Sequence, residues 1–276
     1  IRDLPASLAV FDHAIAYVPA IDTYIDGTAE YSGVHELPQM DQGVTVLHVW
    51  PEGASLRRTP VHPASANEHR RTLNVRLNAD ASAQISVEES VQGVEAAGYR
   101  ARYRAEGTRQ ERVERQLRDL FPGLELATQN FEDLTDVERP VRFSYTGQAP
   151  QFALRDGNHL RLMPSTIGSL SRSLARTQTR RHALDLGSTT RYVERRVITL
   201  PAGARATTLP TAGEQRSAFG LARMRVTSAG STITIDTEFE LTRDRVEAAE
   251  YEAFRAWMER ADQLFEQRIL VEGGTP

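Results

Sequence analysis

The chain has 276 residues, enough for one large domain or two of ordinary size, and its 40% hydrophobic and 25% charged residues are typical of a globular protein. Its net charge of −4 provides no overall positive field, which argues against nucleic acid or an anionic lipid surface as the partner. There is no cysteine, so the sequence excludes disulfides, zinc–thiolate sites and a cysteine nucleophile within these residues.

The first fifty residues contain three short apolar segments, which predict β-strands at 8–18, 21–26 and 43–50. They are followed by a stretch rich in Pro, Ser, Asn and Arg, residues 51–70, which we interpret as a connector between two domains. The chain begins with Ile1, from which we expect that an upstream segment has been removed. No apolar run approaches the roughly 20 residues that span a bilayer, so we expect no membrane span.

Beyond the connector, the pattern is mainly that of strands. Apolar and polar residues alternate over 73–77 and again over 85–87, on either side of a turn, which predicts a hairpin. The clearest hairpin is the one whose two alternating segments flank the turn at 228–231. Further strand segments are predicted at 124–127, 140–146, 191–200 and 204–209.

Two segments have helical periodicity instead. Residues 109–121 carry one apolar face opposite a charged one, and residues 246–267 carry a stripe of aromatic and aliphatic side chains. Asp244 and Glu247 have the spacing of a capping box at the start of the second helix. The elements together predict an α+β fold, mostly antiparallel β, in which residues 71–276 form a β-sandwich-like domain with a mid-domain helix and a C-terminal helix.

His13 and Asp26 flank the first predicted turn and have the residue types of a catalytic pair. If Pro19-Ala20 is a two-residue loop, the hairpin register sets His13 opposite Asp26 on the same side of the ribbon. A carboxylate that accepts a hydrogen bond from an imidazole fixes its tautomer and stabilises the imidazolium, which leaves the second ring nitrogen free to act as a base. Spacing alone equally allows an ordinary surface pair.

The residues around this pair are similar to the end of a transglutaminase-like core, which belongs to the papain-type superfamily of cysteine hydrolases and transferases. That core typically has His-Ala-Trp on its histidine strand, and an aromatic residue shortly before Asp-Pro-Thr on its aspartate strand. The matching stretches here are His13-Ala14-Ile15 and Tyr24-Ile25-Asp26-Gly27-Thr28. They have isoleucine in place of the usual tryptophan and glycine in place of proline.

The rest of the chain resembles the segments located after this core in large bacterial transglutaminase-like proteins. Residues 27–43 are similar to the run after the aspartate, and the C-terminal part is similar to a trailing domain of unknown function. The features that carry this second resemblance are residues 198–204, 217–220, 233–241 and 248–265. The resemblance implies that residues 1–50 are the last strands of the core, a remnant of its papain-like sheet.

The resemblance also implies roles for the two residues. His13 is the general base and acid that activates a cysteine thiol, and Asp26 orients it. In the family, that cysteine begins a helix some tens of residues before the histidine, so it does not lie in this chain, and the missing upstream core becomes the expected partner. We expect the parent protein to be a cysteine transferase or peptidase, exported to the bacterial periplasm and without a cofactor, and this chain alone to be inactive.

Other candidate residues carry weaker signals. All 33 basic residues are arginines, and one group with few acidic neighbours is predicted to form a basic patch that contacts an acidic partner. These residues are Arg172, Arg176, Arg180 and Arg181. His62 and His69 have no third ligand at metal-site spacing, so the sequence predicts no metal site.

A second hypothesis is a non-catalytic binding or scaffolding module. The missing nucleophile and the many strands after residue 70 favour a β-sandwich that binds a protein or a glycan and retains His13 and Asp26 as a relic pair. In either case, strand edges at 8–18 or 43–50 that a missing core would cover predict association into homo-oligomers.

Overall fold

The computed structural model describes residues 8–273 of the chain. It is an α+β structure in which most strands pair antiparallel, as the sequence predicts. The strands are β1 (Ala16–Val18), β2 (Thr23–Ile25), β3 (Thr45–Trp50), β4 (Gly53–Arg58), β5 (Glu68–Leu77), β6 (Ala83–Val91), β7 (Glu125–Phe131), β8 (Val141–Ala149), β9 (Leu154–Asp156), β10 (His159–Leu162), β11 (Leu184–Asp185), β12 (Thr190–Thr199), β13 (Arg205–Thr208), β14 (Gly213–Ser217), β15 (Gly220–Ala229), β16 (Thr232–Leu241), β17 (Arg245–Val246) and β18 (Ile269–Glu272).

Four α-helices lie within residues 8–273. They are α1 (Val94–Tyr103), α2 (Glu106–Leu120), α3 (Leu170–Leu174) and α4 (Tyr251–Phe265). The predicted helices correspond to α2 and α4, but a 3-10 turn, Ala248–Glu250, precedes α4. The predicted capping box is wrong by three residues, because Glu247 and Glu250, and not Asp244 and Glu247, accept hydrogen bonds from each other's backbone N–H groups.

An eight-stranded sheet forms the larger part of the molecule, in the order β14-β15-β16-β12-β5-β6-β8-β7. Every neighbouring pair is antiparallel except β12 and β5, which run parallel with Arg196 opposite Leu73. The alternation in β5 and β6 sends Leu73, Val75, Ile85 and Val87 to one buried face. The sequence pattern therefore predicts both the strands and the face that they bury.

A second sheet, in the order β13-β18-β10-β9, shares its core with the first. Leu160 of β10 and Ile269 of β18 belong to the same apolar cluster as the buried face of β5 and β6. Helix α4 contributes its predicted stripe to this cluster, where Phe254 and Trp257 are fully buried. Two sheets and a helix around one core give residues 68–272, hereafter the body, its sandwich-like character.

Residues 8–58, hereafter the N-terminal region, are built differently. The pairs β1–β2 and β3–β4 are separate two-stranded sheets, and β4 lies inside the predicted connector. The strand predicted at 8–18 is mostly absent, because β1 begins only at Ala16 and residues 8–10 form a 3-10 turn. Among residues 9–58, Leu37 is the only buried apolar side chain.

One buried arginine links the N-terminal region to the body. Arg100 of α1 is fully buried and donates hydrogen bonds to the backbone carbonyls of Tyr31, at 2.7 Å, and Arg139, at 2.7 Å. Its guanidinium also pairs with the Glu36 carboxylate at 2.6 Å. The sequence pattern does not predict α1, because a charged residue occupies the centre of its buried face.

Candidate functional site

The hairpin that carries the predicted pair closes through a longer loop than the predicted two residues. Residues Pro19–Ile21 form a 3-10 turn, Asp22 is left-handed with φ of 47°, and Val18 pairs with Thr23. The predicted register is therefore wrong by two residues. The paired strands cover only Ala16–Val18 and Thr23–Ile25, so His13 and Asp26 both lie just outside them.

The structure brings His13 and Asp26 together, with His13 Nε2 3.2 Å from Asp26 Oδ2. The His13 side chain is 37% exposed and that of Asp26 only 5%. With Nε2 directed at the carboxylate, Nδ1 is the nitrogen that remains for a reacting group. The arrangement can hold an imidazole in one tautomer and present its other nitrogen to solvent or to a second segment.

Thr28 fixes the carboxylate of Asp26. Asp26 Oδ1 accepts hydrogen bonds from the backbone N–H of Thr28 at 2.9 Å and from its hydroxyl at 2.8 Å. Burial would raise the pKa of Asp26, but these two hydrogen bonds and His13 outweigh burial and lower that pKa below its usual value. Asp26 is therefore ionised and held in one orientation, with Oδ2 left for its partner.

A second acidic group, Asp41, adjoins the pair, and the sequence does not identify it. It ends the 3-10 turn Gln39–Asp41 and is 6% exposed. One ligand atom from each of His13, Asp26 and Asp41 lies within 4.8 Å of the other two. Burial raises the pKa of Asp41, and the negative charge of Asp26 raises it further. Its Oδ2 has no hydrogen-bond partner among residues 8–273.

An aromatic cluster from both hairpins stands next to these residues. His48 of β3 lies edge-on to Tyr17 with centroids 4.5 Å apart, 4.2 Å from the ring of Trp50 and 5.7 Å from that of Tyr24. His48 is 7% exposed, and within the described part of the chain neither of its ring nitrogens has a hydrogen-bond partner. The cluster holds the two hairpins against each other.

The four arginines of the predicted basic patch are all exposed, and none forms an ion pair with an acidic residue between residues 8 and 273. They lie in and after α3, whose first N–H groups are bound by Asp262 of α4: Leu170 N at 2.6 Å and Ser171 N at 3.1 Å. Arg180 lies over the ring of Tyr251, 5.7 Å from its centroid. The patch is thus a surface feature of the body.

The body contains a second group of titratable residues, centred on the buried Arg71 and Glu89 of the large sheet. His69 Nε2 is 2.6 Å from Glu89 Oε2, which also accepts a hydrogen bond from Arg71 at 3.1 Å. Arg71 donates further hydrogen bonds to the hydroxyls of Tyr192, at 2.8 Å, and Thr166, at 2.7 Å. His62 is not part of this group, so the structure does not bring His62 and His69 together as metal ligands.

The chain is similar to a family of unknown function over part of its length and to a solved structure over most of it. Residues 158–271 match the sequence model of a family described as "Domain of Unknown Function with solved-structure structure (DUF3858)". No curated protein matches the chain. A crystal structure described as that of a "putative protease" from Parabacteroides distasonis is similar, with 12% identity and a TM-score of 0.44 over 94% of this chain and 35% of that chain. This chain thus spans about a third of that protein's length.

None of the helices within residues 8–273 combines the length and the apolar character that crossing a lipid bilayer requires.

Proposed function

We propose that the chain is the C-terminal part of a transglutaminase-like cysteine acyl-transferase or peptidase. In this proposal residues 1–50 complete a catalytic core whose cysteine lies upstream, residues 51–70 are the connector and residues 71–276 are an accessory domain. The observation that carries the proposal is the contact of 3.2 Å between His13 Nε2 and Asp26 Oδ2, with Oδ1 of that carboxylate bound by Thr28.

The chemistry follows from this geometry. His13 Nδ1 removes the proton of the upstream thiol, and the thiolate attacks the acyl carbonyl of the substrate. The imidazolium, stabilised by Asp26, then donates its proton to the leaving amine, which leaves an acyl-thioester. An acceptor amine or a water molecule, deprotonated by the same nitrogen, attacks the thioester and releases the thiol. Without the thiol, His13 and Asp26 have nothing to activate.

The packing of the N-terminal region supports a partner on its outer side. Met40 is 78% exposed, Val49 is 70% exposed and Ile21 is 53% exposed, while Leu37 is the only buried apolar side chain among residues 9–58. Apolar side chains exposed in one region are typical of a surface that another segment covers. In this proposal that segment is the upstream core, and the open edges of the two hairpins are where it, or a second copy of the chain, adds strands.

A second candidate function is a binding module with a relic pair, and one groove favours it. The groove, of about 720 Å³, lies on the exposed face of β5, β6, β7 and β8. Its lining includes Asn74, Gln84, Ser86, Thr146 and Gln148. These amide and hydroxyl groups can donate and accept hydrogen bonds, which suits a glycan or a peptide backbone.

A protein in which the proposed cysteine-bearing core precedes these residues can distinguish the two functions by its reaction with a thiol-directed acylating probe. We expect labelling in the wild type, and a rate about 100-fold or more lower in His13→Ala, because general base catalysis is worth roughly 10²–10⁴-fold. His182→Ala, which removes an exposed histidine of the body, should label normally. No labelling, or labelling at the same rate in His13→Ala, would favour the binding module.

A further inference from the structure

We propose that His13, Asp26 and Asp41 bind one divalent transition-metal cation of the zinc class. This site goes beyond the proposed function and does not depend on it. Its three ligands come from three separate segments: the residues before β1, the end of β2 and the 3-10 turn Gln39–Asp41.

The geometry suits a single ion. The ligand atoms of the three residues all lie within 4.8 Å of one another. Ligand atoms around one tetrahedral zinc ion, each about 2.0–2.2 Å from it, are separated by roughly 3.3–3.6 Å. Side-chain rotations that move these atoms by about 1 Å therefore bring all three into the first coordination sphere.

An independent observation points to a ligand here. Asp41 is 6% exposed, and its Oδ2 has no hydrogen-bond partner among residues 8–273. A buried carboxylate oxygen without a donor is costly, and a second carboxylate beside it, that of Asp26, makes it more so. A bound dication would give Asp41 Oδ2 the positively charged partner that it lacks among residues 8–273.

The contact between His13 and Asp26 is also long for a strong hydrogen bond. It measures 3.2 Å, whereas the equivalent contact of His69 with Glu89 measures 2.6 Å. Charge-assisted hydrogen bonds are usually about 2.7–2.9 Å long, but neighbouring ligands of one ion stay farther apart. Thr28, which binds the other oxygen of Asp26, is the outer partner that metal-binding carboxylates commonly have.

The donor set selects the class of metal. One imidazole nitrogen and two carboxylate oxygens suit Zn²⁺ or Mn²⁺, whereas Ca²⁺ takes six to eight oxygen ligands. With a neutral imidazole, a dication and the two carboxylates sum to zero charge. A metal on Nε2 also withdraws His13 from use as a base, so under the proposed function the cation would inhibit acyl transfer.

The test is calorimetric titration of the 276-residue chain with ZnCl₂ after removal of metal by a chelator. We expect one ion per chain, and an affinity at least about 10-fold lower in both Asp41→Asn and His13→Ala. Asp12→Asn removes an exposed carboxylate next to His13, and His62→Ala removes the histidine that lies near His35. Both control variants should bind as the wild type does.

His13→Ala keeps the test valid even if Asp41→Asn does not fold, because His13 is the most exposed of the three ligands. Cobalt provides a second measurement, since Co²⁺ bound by the wild type should give visible absorption bands that His13→Ala changes. The proposal is overturned by a wild-type chain that binds no zinc, or by zinc binding that neither ligand variant weakens. Because no activity is measured, either result leaves the thiol-labelling experiment unaffected.

Discussion

The N-terminal region and the body differ in the surroundings of their buried polar groups. In the body, buried charges are paired: Arg71, Glu89 and His69 bind one another inside the sheet. In the N-terminal region, Asp41 and His48 are buried with polar atoms that nothing between residues 8 and 273 satisfies. The body also has a large apolar core, which the N-terminal region lacks. Single buried atoms without a partner among residues 8–273 also occur in the body, among them Nε of Arg71, Arg100 and Arg196, but there the same guanidinium groups form other hydrogen bonds. In the N-terminal region, both ring nitrogens of His48 lack one within the same range.

The largest effect is expected from breaking the paired charges of the body. Arg71→Ala leaves Glu89 buried and without its guanidinium, and removing one partner of a buried ion pair typically costs about 3–5 kcal/mol of unfolding free energy. Arg70→Ala is the matched control, because Arg70 lies on the exposed face and pairs there with Glu68; it should cost less than about 1 kcal/mol. Urea unfolding of both variants measures the difference in unfolding free energy. Equal losses would show that the ion pair of Arg71 with Glu89 does not stabilise the body.

Acid should weaken the same group. Burial would raise the pKa of Glu89, but Arg71 and His69 outweigh burial and lower it from 4.5 to about 2. Glu89 therefore contributes stability that is fully present above about pH 4.5 and is lost as the pH falls towards 2. The contribution is on the order of 3 kcal/mol.

The unfolding free energy of Glu89→Gln should accordingly depend less on pH between 4.5 and 2 than that of the wild type. Glu95→Gln removes a half-exposed carboxylate on the other side of His69 and should keep the wild-type slope. Identical slopes for wild type and Glu89→Gln would show that Glu89 is not held as a carboxylate by its partners.

Removing the link through Arg100 should cost less and act locally. Arg100→Ala removes the hydrogen bonds to Glu36 and to two backbone carbonyls, and bonds of a charged group are worth roughly 1.5–3 kcal/mol. We expect hydrogen exchange to accelerate over residues 30–36 while the amides of β5 and β6 remain protected. Arg104→Ala, which removes an exposed pair with Glu30, is the control and should change neither. Uniform acceleration throughout the body would mean that Arg100 supports the whole fold.

The smallest effect on stability is expected at Thr28, together with a clear effect on the site. Thr28→Val removes the hydroxyl that binds Asp26 Oδ1 and should change the unfolding free energy by about 1 kcal/mol or less. Zinc affinity should fall about 10-fold, because outer partners of metal ligands typically contribute that much. Thr23→Val, which loses a hydroxyl bond to the Ile21 carbonyl, is the control. Unchanged zinc affinity in Thr28→Val would remove Thr28 from the site.

The body is largely predictable from the sequence because its strands obey a simple period. Alternation over 73–77 and 85–87 identifies β5, β6 and their buried face, and the aromatic stripe identifies α4. The sequence does not predict α1, because Arg100 lies on its buried face. The groups that bind this charge, among them Glu36, belong to segments distant in the sequence. The same holds for Arg71 and Glu89, whose burial depends on partners far along the chain.

The site is predictable only in part. The sequence predicts His13 and Asp26 as neighbours, and their side chains lie 3.2 Å apart, but both residues lie outside the paired strands on which the prediction rests. The loop length could not be inferred, since Pro19-Ala20 lacks the residues that specify a tight turn. Asp41 joins the site through a separate 3-10 turn, and no spacing in the sequence indicates that contact.

The single parallel pairing in the large sheet has a consequence for the order of folding. Strands β5, β6, β8 and β7 come from one continuous part of the chain, and β12, β14, β15 and β16 come from a later part. The two halves meet only where β5 lies beside β12, and Arg71 and Tyr192, which bond across that seam, are 121 residues apart. During synthesis, the edge of β5 that pairs with β12 remains unpaired until β12 has been synthesised. The hydrogen bond between Arg71 and Tyr192 then helps to fix the register of β5 and β12, because a slip of one residue would turn Arg71 away from Tyr192.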